Sequence, residues 1–242
     1  MRVLQLNAWM GKIEGNLKRF LEKEKFDVIC MQEVMRSEDQ VGHVRRLCFD
    51  ASRIQEASGL TESYYAANWG SKIANGSWEW GNLILSNQGI TEKRSEFVNG
   101  RYNPETILGE SIGNNLNVQI VKLESGVTIV NHHGYWCPQP MGDEHSMKAF
   151  EKLSKAISGI DGPMILCGDL NVVHEAPCMR ALDRLRDLTY EYKIESTLSG
   201  MHKAAKVPCD HIMVSKDVKV ERFEVLPELV SDHKPLVLEC SF

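Results

Sequence analysis

No stretch of the 242 residues approaches the roughly 18 consecutive apolar residues that a membrane-crossing helix requires. The opening MRVLQLNAW likewise has no apolar segment of signal-peptide length behind a basic head. The expectation is a cytoplasmic protein with no membrane span. Positive charge is also in short supply. Lys and Arg number 28 against 33 Asp and Glu, a formal net charge of −5. Coating of nucleic acid through bulk electrostatics is thereby excluded, and any polyanionic substrate must be held by a local site. Paired cysteines are missing too. The seven are Cys30, Cys48, Cys137, Cys167, Cys178, Cys209 and Cys240, an odd number with no Cys-x-x-Cys, which leaves neither a zinc finger nor a disulfide framework. Cys30 and Cys167 sit in apolar runs, where a thiol behaves as a small buried hydrophobe, and reduced cytosol suits such a set. Repeats and low-complexity tracts are lacking as well.

What is present is ordinary globular material, 43% apolar and 25% charged, enough for a sizeable core. The chain reads as one domain over residues 1–242 and as a monomer. Arg2 to Asn7 is short and mainly apolar around Gln5, with the polar Gly11 to Gly15 following, which predicts a first strand ending at Asn7. Asn16 then caps a helix with Leu17, Phe20 and Leu21 at helical spacing. Asp27 to Glu33 holds Val28-Ile29-Cys30-Met31, too short for a helix, and reads as a buried strand delivering Gln32 and Glu33 at its end. Ser37 with Gln40 is a capping-box signal ahead of Val41, Val44, Leu47 and Cys48 at helical spacing. From about Tyr64 to Val130, short apolar runs (82–85, 106–108, 116–123 and 127–131) predict antiparallel strands, with Ser125-Gly126 turning a hairpin. Asp143 caps a helix through Met147, Phe150, Leu153 and Ile157, and Gly162-Pro163 breaks into a strand from Met164 to Gly168. A helix near Pro177 to Leu185 and strands near 211–214, 218–225 and 235–240 complete the pattern. Helices and strands mix without the alternation of a doubly wound sheet, so two packed sheets with outer helices fit best.

Polar and acidic residues stand at the ends of apolar strands: Asn7, Glu33, His133, Asp169 with Asn171, and Asp232 with His233. Glu33, Asn7 and the aspartates offer the oxygen donors that a hard cation such as magnesium takes, while no histidine pair stands at zinc spacing. His132 and His133 are adjacent on a strand, so only one of them enters a cleft; His133 is the choice. His211 is read as lying outside the site, and His145, His174 and His202 as solvated or structural. Trp69, Trp78, Trp80, Tyr135 and Trp136 suit either a stacking platform or core and loop anchors, the second being the commoner use. Lys93, Arg94 and Arg101 read as a solvated face.

Taken in order, Leu6-Asn7-x-Trp9, Gln32-Glu33-Val34, Gly81-Asn82, a late strand histidine, Gly168-Asp169-Leu170-Asn171 and Ser231-Asp232-His233 resemble the endonuclease/exonuclease/phosphatase superfamily, a resemblance spanning Leu4 to Leu236. It implies an α+β fold, a four-layer αββα sandwich of two mainly antiparallel sheets with outer helices. It also implies a magnesium-dependent phosphoric ester hydrolase, a phosphodiesterase or nuclease in its leading form, with Mn2+ as a substitute for Mg2+. By the same resemblance Glu33 binds the metal with Asn7 beside it, and Asp232 completes the shell through water. Asp169 positions or deprotonates the attacking water and Asn171 bonds the phosphoryl oxygens. His233 contacts the phosphate with Asp210 orienting its ring, His133 stabilises the pentacovalent state or assists the leaving oxygen, and Asn82 lines the cleft. The implied partner is a phosphoester substrate, whether nucleic acid, phospholipid headgroup or small metabolite. An apurinic-site endonuclease is the first alternative, but Val34-Met35 departs from the usual Gln-Glu-x-Lys of that branch. A binding module that has lost its chemistry is the second, although every carried-over position holds a competent residue.

Overall fold

The computed structural model describes residues 1–38, 48–73, 76–105, 114–202 and 206–242. Two six-stranded sheets are present among them. The first runs, edge to edge, β11 (Lys219–Val225), β12 (Leu236–Ser241), β1 (Arg2–Asn7), β2 (Val28–Ser37), β4 (Gly76–Ser86) and β3 (Glu62–Ile73). The second runs β5 (Ile90–Asn99), β6 (Leu116–Leu123), β7 (Thr128–His133), β8 (Met164–Asp169), β10 (Asp210–Val214) and β9 (Arg186–Asp187). Pairing is antiparallel except for β1 with β2 and β7 with β8. A parallel pair needs a crossover, and helices α1 (Glu14–Lys23) and α3 (Glu144–Ile157) lie in those two connections.

Alternation along each strand builds the layers. In β1, Val3 joins the apolar cluster between the sheets, whereas Leu4 and Leu6 pack with Leu17, Phe20 and Leu21 of α1 and with Ile54 of α2 (Ala51–Ser58). In β8, Ile165 and Cys167 face the opposite sheet, while Met164 and Leu166 pack with Phe150, Leu153 and Ile157 of α3. Helix, sheet, sheet, helix is the result, the four-layer sandwich expected from the sequence. Burial of these apolar faces is the main driving force, at roughly 25 cal/mol for each Å2 removed from water.

Several local expectations shift. Helix α1 begins at Glu14 behind Ile13, so Asn16 lies in its first turn and donates to the Leu229 carbonyl (2.8 Å) instead of capping. β2 continues past Glu33 to Ser37 by way of an irregular register between Met31 and Val34. The helix expected after Ser37 and the strand at 106–108 fall outside the described residues. Asp50 caps α2, its side chain accepting from Arg53 N. The segment expected to be helical near 177–185 is a 3-10 turn over Pro177–Leu182. Asp143 caps α3 with a full capping box, as its sequence predicts.

Candidate active site

A period of two puts alternate residues on one face of a strand. Continuing the faces that carry Val3, Ile129, Ile165 and Ile212 therefore carries Asn7, His133, Asp169 and Asp210 to the same inter-sheet side. Register then aligns them: His133 stands opposite Asp169 and Asp169 opposite Asp210 across the second sheet, while Asn7 stands opposite Gln32 in the first. Glu33 enters from a bulge, where its φ of 54° re-aims the side chain. Among the described residues five non-glycines have positive φ, and four of them, Trp9, Met10, Glu33 and Asn171, line one cleft of about 450 Å3. Such conformations cost on the order of 1–3 kcal/mol each and gather at functional positions.

Asp169 is the hub. Its Oδ2 accepts from Asn7 Nδ2 (3.0 Å) and lies 3.6 Å from His133 Nε2 and 3.8 Å from His233 Nε2. Its Oδ1 accepts from the Asn171 backbone N–H (3.1 Å). Asn7 bridges the two sheets, since Nδ2 also reaches Glu33 Oε1 (3.2 Å) while Oδ1 accepts from Trp9 N (3.0 Å). Asp210 Oδ2 bonds His233 Nδ1 (2.8 Å) and its Oδ1 accepts from Gln5 Nε2 (3.3 Å). Ser231 ties the Asp232-His233 turn to β1, donating to the Asn7 carbonyl (2.7 Å) and accepting from His233 N (3.3 Å).

These contacts set charge states. Burial alone would lower His233, but Asp210 and then Asp169 overcome it and raise the imidazole to about 10. Burial works to raise Asp169, yet His233, His133 and the Asn7 and Asn171 N–H groups hold its carboxyl below the ordinary range. At neutral pH the pair is therefore a carboxylate beside an imidazolium, an acceptor for a water next to a donor for a phosphoryl oxygen.

His133 lines the cleft, ring tilted against Trp80 at 5.4 Å, and its buried Nδ1 has no partner among the described residues. His132 points the other way. It donates from Nδ1 to the Asn117 carbonyl (3.0 Å), and burial lowers it to about 4. Asn82 is fully buried and stands apart from the residues lining the cleft, donating weakly to Asn117 (3.3 Å to its carbonyl). His211 lies outside the cleft, bonded to Asp187 and to the Val172 carbonyl (2.9 Å each). Trp69 and Trp78 are buried anchors, whereas Trp136 lines the cleft and is 61% exposed. Sequence reasoning missed His202, whose ring meets that of His233 edge-on at 5.6 Å, and the apolar wall of Leu198, Val207 and Cys209. Those residues carry no local pattern, because loop closure alone brings them in.

Among the described residues, metal-ligand atoms gather in two groups within 4.8 Å: Asp169, Cys209, Asp210 and His233, and His202, Asp232 and His233. Burial pushes the Cys209 thiol well up, so it stays protonated and is a poor ligand. Glu33 and Asp232, both on the cleft wall, supply carboxylate oxygens of the kind a hard divalent cation accepts.

A strand-end cluster of carboxylates, amides and histidines between two packed sheets is the layout of a phosphoester hydrolase. The chain belongs to the endonuclease/exonuclease/phosphatase family, whose model matches residues 4–233. Members of that family are phosphoester hydrolases, generally dependent on a divalent metal. No curated protein matches the chain. Among solved structures it is similar to a family protein from Leptotrichia buccalis, at TM-score 0.69 and 19% identity with 100% of both chains covered. It is similar also to the mannosyl-6-phosphatase Bt3783 of Bacteroides thetaiotaomicron, at 0.65 and 19%, again over 100% of both chains. The human Nocturnin catalytic domain with bound sulfate matches at 0.64 and 17%, covering 100% of this chain and 93% of the other.

Proposed function

We propose that the chain is a magnesium-dependent phosphoric ester hydrolase acting by direct attack of water. Support comes foremost from one observation: Asp169, His133 and His233 converge within 4 Å while Asn7 joins Asp169 to Glu33 across the sheets. In this reading Glu33 and Asp232 hold the metal, with Asn7 beside it as the amide that fixes the Glu33 carboxylate. Magnesium, or manganese in its place, supplies charge to neutralise the phosphoryl oxygens at that point. Asp169, ionised and acceptor-only, orients the attacking water and takes its proton. Asn171, at the turn after Asp169, donates to a phosphoryl oxygen. His233 donates from Nε2 to the same group while Asp210 holds the other ring nitrogen, which makes Asp210 a positioning residue. His133, on the cleft wall with Nε2 3.6 Å from Asp169 Oδ2, serves the leaving oxygen. Placement and charge stabilisation of this kind are worth several powers of ten in rate.

The same reading takes residues 1–242 as one monomeric catalytic unit. Its seven free cysteines, six of them buried, suit the cytosol. Hydrolysis of bis(4-nitrophenyl) phosphate tests it. Turnover is expected with magnesium, is abolished by chelator, and falls at least about a hundredfold in Asp169→Ala. Turnover that survives chelator would sink the metal assignment, and an active Asp169→Ala would sink the base.

A further inference from the structure

The cleft contains more than the reacting groups. Two tryptophans line it, one carried by each sheet: Trp9 follows β1 and Trp136 lies three residues past His133, on the side given to the leaving oxygen. Trp136 is 61% exposed, yet its backbone is pinned by a single amide. Asn114 Nδ2 donates to the Trp136 carbonyl (3.1 Å) and Asn114 Oδ1 accepts from Trp136 N (3.0 Å). A fixed loop thus holds an exposed indole on the cleft wall. Trp9 is held by the bond from its N–H to Asn7 and has a φ of 47°, a strained conformation for an aromatic residue. Lys12 stacks on Trp9 at 4.2 Å, but no Lys or Arg lines the cleft among the described residues. His233, its Nδ1 held by Asp210, leaves Nε2 as the ring donor on that wall. A polyanion needs several Lys or Arg contacts to displace its counterions, whereas one phosphate needs one such donor and the metal.

We infer that the substrate is a small ester with a single phosphate, whose uncharged leaving group lays a flat face against Trp136. This inference rests on the hydrolase reading above. Two sources share that chemistry, a nucleobase and the C–H face of a sugar. A volume of about 450 Å3 accommodates either beside a phosphate and is small for a duplex.

Binding, not turnover, tests it. Calorimetric titrations in magnesium buffer would compare adenosine 5'-monophosphate, glucose 6-phosphate, ethyl phosphate and a thymidine oligonucleotide. The wild type and the Trp136→Ala and Trp136→Phe variants would each be titrated. At least one flat-faced ligand is expected to bind about tenfold more tightly than ethyl phosphate, an advantage lost in Trp136→Ala and largely kept in Trp136→Phe. Which one does so separates base from sugar. Equal affinities for all three monophosphates, or an advantage untouched by Trp136→Ala, would overturn the inference. So would an oligonucleotide binding far more tightly than the mononucleotide with a steep salt dependence. The inference also fails if Trp136→Ala weakens only adsorption to phosphatidylcholine vesicles, which would make the indole a membrane contact. No release of phosphate from the tighter-binding ligand in magnesium, together with this binding pattern, would remove the hydrolase reading and keep the pocket.

Discussion

Glu33 sits at φ 54°, a conformation that costs an L-residue on the order of 1 kcal/mol more than glycine. Glu33→Gly is therefore expected to be more stable than Glu33→Ala by about 1 kcal/mol in urea unfolding. Neither should show metal-dependent turnover, so stability and activity part company at this position. A different residue-scale test lies outside the cleft, where Asp187 accepts from both His174 and His211. Burial alone would lower His211, but Asp187 outweighs it and raises the ring to about 9 from the ordinary 6.5. Stability from this raised group is present in full below 6.5 and is lost as pH climbs through about 9. Asp187 is shifted down, burial being outweighed by His211, so its contribution is present above 3.8 and lost as pH falls. In thermal melts His211→Gln should lose less stability than the wild type as pH rises from 6.5 to about 9, the rest of the alkaline fall belonging to His233. An unchanged alkaline limb in that variant would refute the assignment. The residue types of the site were plain in the sequence because strand-end polar residues break apolar runs. The choice between His132 and His133 is a matter of strand parity, and the fold turns His133 into the cleft and His132 away from it.

Strand ends carry the site because β7 and β8 run parallel and stop together at His133 and Asp169. The chain leaves that level through Gly134, where a Cβ would lie 2.1 Å from the Leu170 carbonyl oxygen, so only glycine lets the two strand exits pass. Gly134→Ala should cost about 2 kcal/mol or more in denaturant unfolding and lower kcat, because Asn171 bonds the Gly134 carbonyl (3.1 Å). A fully active and stable variant would show that the crossing can open freely. At this scale the sequence revealed β1, β6, α3 and the hairpin through Ser125-Gly126, whose patterns and caps are local. It revealed less of β3 and β5, where Glu92, Lys93, Arg94 and Glu96 on an edge strand hide the period. The bulge in β2 left no sequence signal, because Gln32-Glu33 reads as a strand end until β4 is seen to continue pairing beyond it.

Across the whole molecule a buried polar chain fixes one sheet against the other. Asp210 accepts from Gln5, Gln5 and Gln32 exchange reciprocal amide bonds (2.8 Å each), and Gln32 donates to Asn131 (2.6 Å). Asn131 then donates to Gln119 Oε1 (2.9 Å) and to the Met31 and Leu83 carbonyls. Face-to-face packing of apolar sheets tolerates sliding, whereas this network is satisfied at one alignment, the alignment that brings Asn7 to Asp169. Gln32→Ala orphans partners at both ends and should destabilise by roughly 2–4 kcal/mol, read as a lowered urea midpoint. Turnover should fall beyond the loss in folded fraction. A drop in stability alone would show that the alignment is held by the apolar core. The sequence by itself determined the chemistry available, the ordered strand-end motifs and the class of fold, because strand period, caps and residue types are local properties. Tertiary structure alone decided that Asn82 belongs to the interior and that Trp9, Trp136 and His202 face the cleft. Those outcomes depend on contacts between residues far apart in the chain, which no local pattern encodes.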